Sequence, residues 1–245
     1  MPKVAVVIPA RFASTRLPGK PLQLIAGKPL LQHVWERCSL ASGIETVLIA
    51  TDDMRIAEAA FSFGAEVALT SPKHRSGTDR VAEVARKLRG VTHVINVQGD
   101  EPLIDPNLVS KLARKLRGDR RIQMITAASA FEADEDVANP NVVKVVVDRA
   151  GDALYFSRSA IPYVRGDGLE PTFYRHQGLY GFTTKFLLQF VKWKPGFLEQ
   201  AESLEQLRAL ENGAKIRVIL AKTAAVGVDT QEDLATVERL LAARK

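Results

Sequence analysis

Cysteine is nearly absent: the 245 residues contain one, Cys38. No intrachain disulfide is therefore possible, which removes the small disulfide scaffolds and makes a cytoplasmic protein the default expectation. Cys38 falls at helical spacing from Leu30, Leu31 and Val34 and reads as a small buried hydrophobe. Long apolar runs are missing too. The opening MPKVAVVIPAR is far too short for a signal core or a membrane span, and no later stretch reaches membrane length. With four histidines and no Cys/His cluster, a zinc site is not expected. The GxxxxGK[ST] spacing of a Walker loop does not occur. Nor is there a dense basic run of the kind that marks nucleic-acid binding. The 34 Lys and Arg exceed the 28 Asp and Glu by six but are spread along the chain, so no nucleic-acid partner is expected. Residues 111–121, KLARKLRGDRR, are the basic exception; they read as a solvated helix face, with an RNA contact surface as the alternative.

What is present is alternation. Apolar strands over 4–8, 46–50, 67–69 and 93–97 alternate with helical patterns over 28–41, 54–63 and 81–88. Asp105 followed by Pro106 reads as a helix start running to about 116. This rhythm predicts an α/β fold, a Rossmann-like, mainly parallel sheet with helices on both faces. After residue 124 the pattern turns β-rich (124–130, 142–147, 153–157), followed by helices near 185–191 and 203–211 and a strand over 216–220. A last helix over 230–242 opens with Thr230 and Asp233 spaced as a capping box. We expect one continuous domain over 1–245. Residues 1–125 and 214–245 would form a nucleotide-binding part, and 126–213 a smaller β-rich insertion for sugar binding and dimerisation.

The chemistry concentrates in loops that follow strands. PARFASTRLPGK (9–20) leaves the first strand directly and so sits at the carboxyl edge of the sheet, where open α/β folds place ligands. Arg11, Arg16 and Lys20 supply cations, and Ser14, Thr15 and Gly19 permit close backbone approach; polyphosphate binding and mere solvation both fit such a loop. Asn96-Val97-Gln98-Gly99-Asp100-Glu101-Pro102 ends another strand on that edge. Asp100 there could hold Mg²⁺, a hard cation that prefers oxygen, or it could cap a turn with Glu101 solvated. Asp229, in Val-Gly-Val-Asp-Thr before the last helix, is either a second ligand of the same metal or a residue favoured by the helix dipole. Ser76 and Thr78, in Ser76-Gly77-Thr78-Asp79-Arg80, are helix caps or ligands to a nucleotide or sugar. Arg158 could pair bidentately with a sugar carboxylate. His176 gains weight from the company of Arg175 and Tyr180. Glu205 and Gln206 read, by themselves, as a solvated helix face.

Taken together PARFASTRLPGK, SGTDR, NVQGDEP, NPNVVKVV, YFSRSAIP, RHQGLYGF, LEQLR and GVDTQEDL resemble the 3-deoxy-manno-octulosonate (Kdo) cytidylyltransferases among the sugar-activating nucleotidyltransferases, in order and over residues 4–234. The resemblance implies a nucleotide-diphospho-sugar transferase fold, Mg²⁺ dependence, a homodimer, and transfer of CMP from CTP to Kdo with release of pyrophosphate, an activation step in lipopolysaccharide synthesis. By motif it places Ala10, Arg11, Ser14, Arg16, Lys20, Ser76, Thr78, Arg80 and Gln98 around the nucleotide. It places Asp100 and Asp229 on Mg²⁺, and Arg158, His176, Tyr180, Glu205 and Gln206 around the sugar, with Lys20, Arg11, Asp100 and Asp229 carrying the catalysis. Residues 163–173 match no motif and leave Arg165 and Asp167 without a role. Rival readings are another acidic sugar, such as 8-amino-Kdo or sialic acid, and a non-catalytic binding protein on the same fold.

Overall fold

The computed structural model describes residues 2–13, 17–166, 168, 170–223 and 226–243. The first part runs β1 (Lys3–Pro9), a hairpin of β2 (Leu24–Ile25) and β3 (Lys28–Pro29), α1 (Leu30–Ser39), β4 (Thr46–Thr51), α2 (Met54–Ser62), β5 (Glu66–Leu69), α3 (Gly77–Lys87), β6 (Val91–Asn96) and α4 (Pro106–Gly118). The second runs β7 (Met124–Ala130), β8 (Lys144–Val147), β9 (Ala153–Ser157), β10 (Tyr174–Thr183), α5 (Thr184–Phe190), α6 (Phe197–Glu202), α7 (Leu207–Glu211), β11 (Ile216–Ala221) and α8 (Gln231–Ala242).

The described residues form a nine-stranded sheet whose main path is β11-β7-β10-β6-β1-β4-β5, with the β8–β9 hairpin attached through β10. β1 shows why the sequence folds this way. It is apolar without alternation, as a parallel strand covered on both faces must be. Val4, Val6 and Ile8 enter one layer with Leu31, Leu112 and Val237, from α1, α4 and α8. Ala5 and Val7 enter the other with Val81, Phe186 and Leu207, from α3, α5 and α7. The helix starts are set by side chains: Asp53 accepts from Arg55 N, Asp105 from Asn107 N beside Pro106, and Ser76/Asp79 and Thr230/Asp233 form complete capping boxes.

The parallel order β5-β4-β1-β6 reverses direction at β1. From β1 the chain crosses outward to β4 and β5, then returns to the other side for β6. That reversal opens a crevice beyond the carboxyl ends of β1 and β6, the place where doubly wound sheets take ligands.

The main departure from the sequence expectation is β10. Tyr174–Thr183 is a central strand, antiparallel to both β6 and β7, where the polar run Arg175-His176-Gln177-Gly178 does not advertise a buried strand. Two smaller departures concern helix ends. α1 starts at Leu30 because Lys28 and Pro29 pair with Ile25 and Leu24. The helix expected from 203 begins at Leu207, and Phe197–Glu202 adds a helix of its own.

Candidate active site

Pro9, Ala10 and Arg11 leave β1 beside Gln98, Gly99 and Asp100, which follow β6. Gly99 is required there: a Cβ would stand 3.0 Å from the Pro9 carbonyl oxygen. With Ala13, Lys20, Gly77 and Asp229 these residues line a cleft of about 420 Å³. Lys20 enters from a short 3-10 turn. The preceding Gly19, at φ 65, makes the left-handed step that turns the chain into the cleft.

The Lys20 Nζ donates to Asp100 Oδ2 at 2.6 Å and to Asp229 Oδ1 at 2.9 Å. Burial alone would pull the Lys20 pKa down, but the charges and hydrogen bonds of the two aspartates outweigh it and hold it above its ordinary value. The lysine therefore stays an ammonium. Asp229 is set in place by the backbone: Val228 N donates to Asp100 O at 2.9 Å, and Asp229 N and Thr230 N each donate to Asp233 Oδ2 at 2.8 Å.

Two carboxylates converging on one cation, with no thiolate or imidazole beside them, form a donor set for a hard ion. No group of three or more His, Cys, Asp or Glu able to hold a metal occurs among the described residues. Asp100 and Asp229 would thus leave the other positions of an ion to water and substrate phosphate, the usual arrangement for Mg²⁺. The residues fit that ion.

Around the cleft, Arg11 keeps a buried Nη2 with no hydrogen-bond partner among the described residues, a donor still to be satisfied. Ser14 and Arg16 lie outside the described residues. Ser76 caps α3 through Asp79, Thr78 donates its hydroxyl to Glu205, and Gln98 Nε2 reaches Gly178 O at 3.4 Å. Arg80, 1 % exposed, turns behind the cleft, where it pairs with Asp52 at 2.8 Å and bonds Thr70.

The residues expected around the sugar divide into two groups. His176 and Tyr180 lie on β10 with ring centroids 5.3 Å apart, and Glu205, beside Tyr180, meets Thr78 of α3. Burial pushes the His176 pKa down to about 3, so the ring is neutral. Its Nε2 meets Thr126 Oγ1 at 2.9 Å, and that hydroxyl donates to Leu179 O at 2.8 Å. The threonine oxygen therefore accepts from Nε2–H, which leaves Nδ1 of the imidazole as the acceptor. Burial also raises the Glu205 carboxyl above its ordinary value, against the hydrogen bonds from Thr78 and Ser76. Gln206 is buried, with Nε2 unpartnered among the described residues. Arg158 is engaged differently. Its guanidinium donates to the carbonyls of Glu202 at 2.7 Å, Pro140 at 2.9 Å and Ser203 at 3.4 Å. Its own carbonyl receives the buried Lys144 ammonium at 2.5 Å.

A cytidylyltransferase family model matches residues 5–216. The chain is 49 % identical over 250 residues to a 3-deoxy-manno-octulosonate cytidylyltransferase of Actinobacillus pleuropneumoniae serotype 5b (strain L20), covering 98 % of each. It is 51 % identical over 253 residues to the corresponding protein of Marinobacter nauticus, covering 96 % of each. The chain belongs to the 3-deoxy-manno-octulosonate cytidylyltransferase family. A solved structure of CMP:2-keto-3-deoxy-manno-octonic acid synthetase complexed with CTP matches with a TM-score of 0.95 at 43 % identity, covering 99 % of this chain and all of that one. A cytidylyltransferase of Leptospira borgpetersenii, 19 % identical with a TM-score of 0.67 over 99 % of this chain and 88 % of that one, shares the fold.

Some residues near the cleft were not legible from the family motifs. Glu101, which could have been solvated, is 7 % exposed and lacks a partner for Oε2 among the described residues. Burial, and then Asp100, push its carboxyl up to about 8. The apolar run Pro102-Leu103-Ile104 that follows, buried throughout, is the local sign that the chain dives inward. Asn96, at the end of β6, is 1 % exposed with both side-chain polar atoms unpartnered among the described residues.

Arg55 also escaped the motifs. Its guanidinium carbon lies 3.3 Å from the centre of the Phe12 ring, and Asp53 holds it by two hydrogen bonds of 2.9 and 2.6 Å. The other end of the basic loop closes on Phe12 as well: Gly19 N donates to Phe12 O at 3.3 Å. Arg55 thus clamps the neck of the loop that carries Arg11 and Lys20. Arg55→Ala should raise KM for CTP roughly two- to fivefold, the scale of an exposed cation–π contact, and leave kcat almost unchanged. Steady-state kinetics with varied CTP check this; an unaltered KM would remove the clamp's role.

Proposed function

We propose that this chain transfers the cytidylyl group of CTP to the anomeric 2-hydroxyl of Kdo and releases pyrophosphate, with Asp100 and Asp229 as the protein ligands of Mg²⁺. The observation that carries this reading is the meeting of both aspartates on Lys20 at the switch point of the sheet. The sugar hydroxyl attacks the α-phosphorus; a carbon–oxygen–phosphorus link forms, the bond from the α-phosphorus to the bridging oxygen breaks, and the hydroxyl proton is lost to solvent.

Catalysis of this kind is mainly positioning and charge neutralisation. Lys20 and Arg11 take the triphosphate and offset the charge that grows on the departing pyrophosphate, with Ser14 and Arg16 expected to assist. The backbone of Ala10 and the side chains of Ser76 and Gln98 border the nucleoside, while Thr78, Arg80 and Asp52 hold α3 and the cleft wall behind it. Asp100 and Asp229 would hold Mg²⁺, which would supply positive charge to offset that of the phosphates. His176, neutral, offers Nδ1 to a sugar hydroxyl, and Tyr180, Glu205 and Gln206 complete a polar wall. Arg158 braces the loops that carry this wall and reaches the sugar carboxylate only by giving up a carbonyl. No side chain is assigned as general base.

The same proposal includes a homodimer formed through the 126–213 part, where Leu154, Tyr163 and Phe197 are exposed. It also includes a cytoplasmic setting and a place in lipopolysaccharide synthesis. Among the described residues no helix is long and apolar enough to cross a membrane.

A pyrophosphate-release assay with CTP and Mg²⁺ tests the substrate. Kdo should support turnover and sialic acid should not. Faster release with 8-amino-Kdo would reassign the sugar, and silence with every acidic sugar would remove the activity.

A further inference from the structure

Among the described residues a basic surface lies away from those that line the cleft. α4 buries Leu108, Leu112 and Leu116 and turns Lys111, Arg114 and Lys115 outward, and the turn after it adds Arg120 and Arg121. These five cations and Ile219 of β11 line one concavity of about 600 Å³ whose single acidic residue is Asp119. Asp119 is already occupied by Arg121, through hydrogen bonds of 2.9 and 2.8 Å. Among the described residues Lys111 reaches a backbone carbonyl, Leu220 O, at 3.3 Å, and no carboxylate. Among the described residues Arg114 and Arg120 pair with no carboxylate, and Lys115 forms no ion pair, adding its charge to that of Arg121 beside Asp119. This concavity shares no lining residue with the cleft that holds Asp100 and Lys20.

A helix C-terminus favours one or two cations in its last turn, and Lys115 and Arg117 already provide them. Lys111 and Arg114 lie before that turn, and Arg120 and Arg121 lie beyond the helix. The dipole therefore does not account for a group of like charges held within about one Debye length of each other. Such a group is stabilised by a multivalent anion. Extent chooses the class of anion. The cations are confined to residues 111–121, which suits a molecule with a few phosphates, whereas a bilayer or a duplex meets charges along an extended ridge. Two guanidinium forks and two ammonium groups are the donors that phosphate oxygens accept.

We propose that the concavity between α4 and β11 is a second anion site, separate from the catalytic cleft, for a small molecule of nucleotide size carrying two or more phosphates. The test uses tripolyphosphate in metal-free buffer, titrated calorimetrically into the full chain and into its Lys20→Ala variant, whose cleft has lost a phosphate donor. One site should persist in Lys20→Ala and weaken steeply as salt rises. Arg114→Ser with Arg120→Ser, both exposed positions, should lower the affinity of that site at least tenfold while leaving turnover of CTP and Tm unchanged. Equal affinity after the double substitution, or no site left in Lys20→Ala, overturns the proposal. A single-stranded RNA 20-mer or vesicles of phosphatidylglycerol that bind tighter than tripolyphosphate and lose affinity in the same variant also overturn it, since they assign the surface to a macromolecule.

Discussion

Asp229→Asn, and separately Asp100→Asn, should lower kcat by about 10²–10³-fold or more, with the fold intact. Removing residues that merely orient metal ligands costs 10–100-fold, and losing one preorganised electrostatic contact to the transition state costs 10²–10³-fold. A direct ligand should do at least as much. Asparagine keeps the shape of the side chain, so Val228 N still donates to Asp100 O and the Thr230/Asp233 box still starts α8. It also reduces the repulsion between two carboxylates held against one nitrogen. A thermal melt should therefore show Tm unchanged or slightly raised beside the collapse in turnover. Near-normal activity in either variant would strip that residue of its role, and a large fall in Tm would make the kinetic loss a folding effect.

Lys20→Ala should have the second-largest effect, and in a different pattern. Without CTP the ammonium neutralises Asp100 and Asp229; with CTP it is needed on the phosphates, which bring more negative charge than the aspartates hold. Its loss should raise KM for CTP and lower kcat together, by about 10²-fold in kcat/KM, the scale of one preorganised donor in a closed site. KM for Kdo should move little. The same change removes the internal cation that competes for the two carboxylates, so Mn²⁺ should bind the CTP-free variant more tightly than the wild type. Titrations that found weaker metal binding after Lys20→Ala would mean that the lysine organises the aspartates rather than competing for them.

The fold was legible wherever local chemistry decides it. β1 and β4 announce themselves as apolar runs bounded by loops, and Asp105-Pro106 and Thr230-x-x-Asp233 are complete helix starts. The site was legible as a set of loops, because both the basic loop and Asp100 follow strands that end on one edge. Its assembly was not. Lys20 meets partners 80 and 209 positions away, and only the crossover at β1 brings them together. β10 was hidden for the opposite reason: its polar half is half-buried between β7 and β8 and looks like a loop when read alone. The fate of charged side chains is equally non-local. Nothing around Arg158 reveals that carbonyls of residues 140, 202 and 203 will claim its guanidinium, and nothing around Arg80 points to Asp52.

The central claim is that Asp100 and Asp229 together hold a divalent ion against the phosphates of CTP. The direct measurement is Mn²⁺ binding to the CTP complex, followed by electron paramagnetic resonance, in the wild type and in the two asparagine variants. The account predicts one tight site in the wild type and at least tenfold weaker binding in each variant. Wild-type affinity in either variant would contradict it.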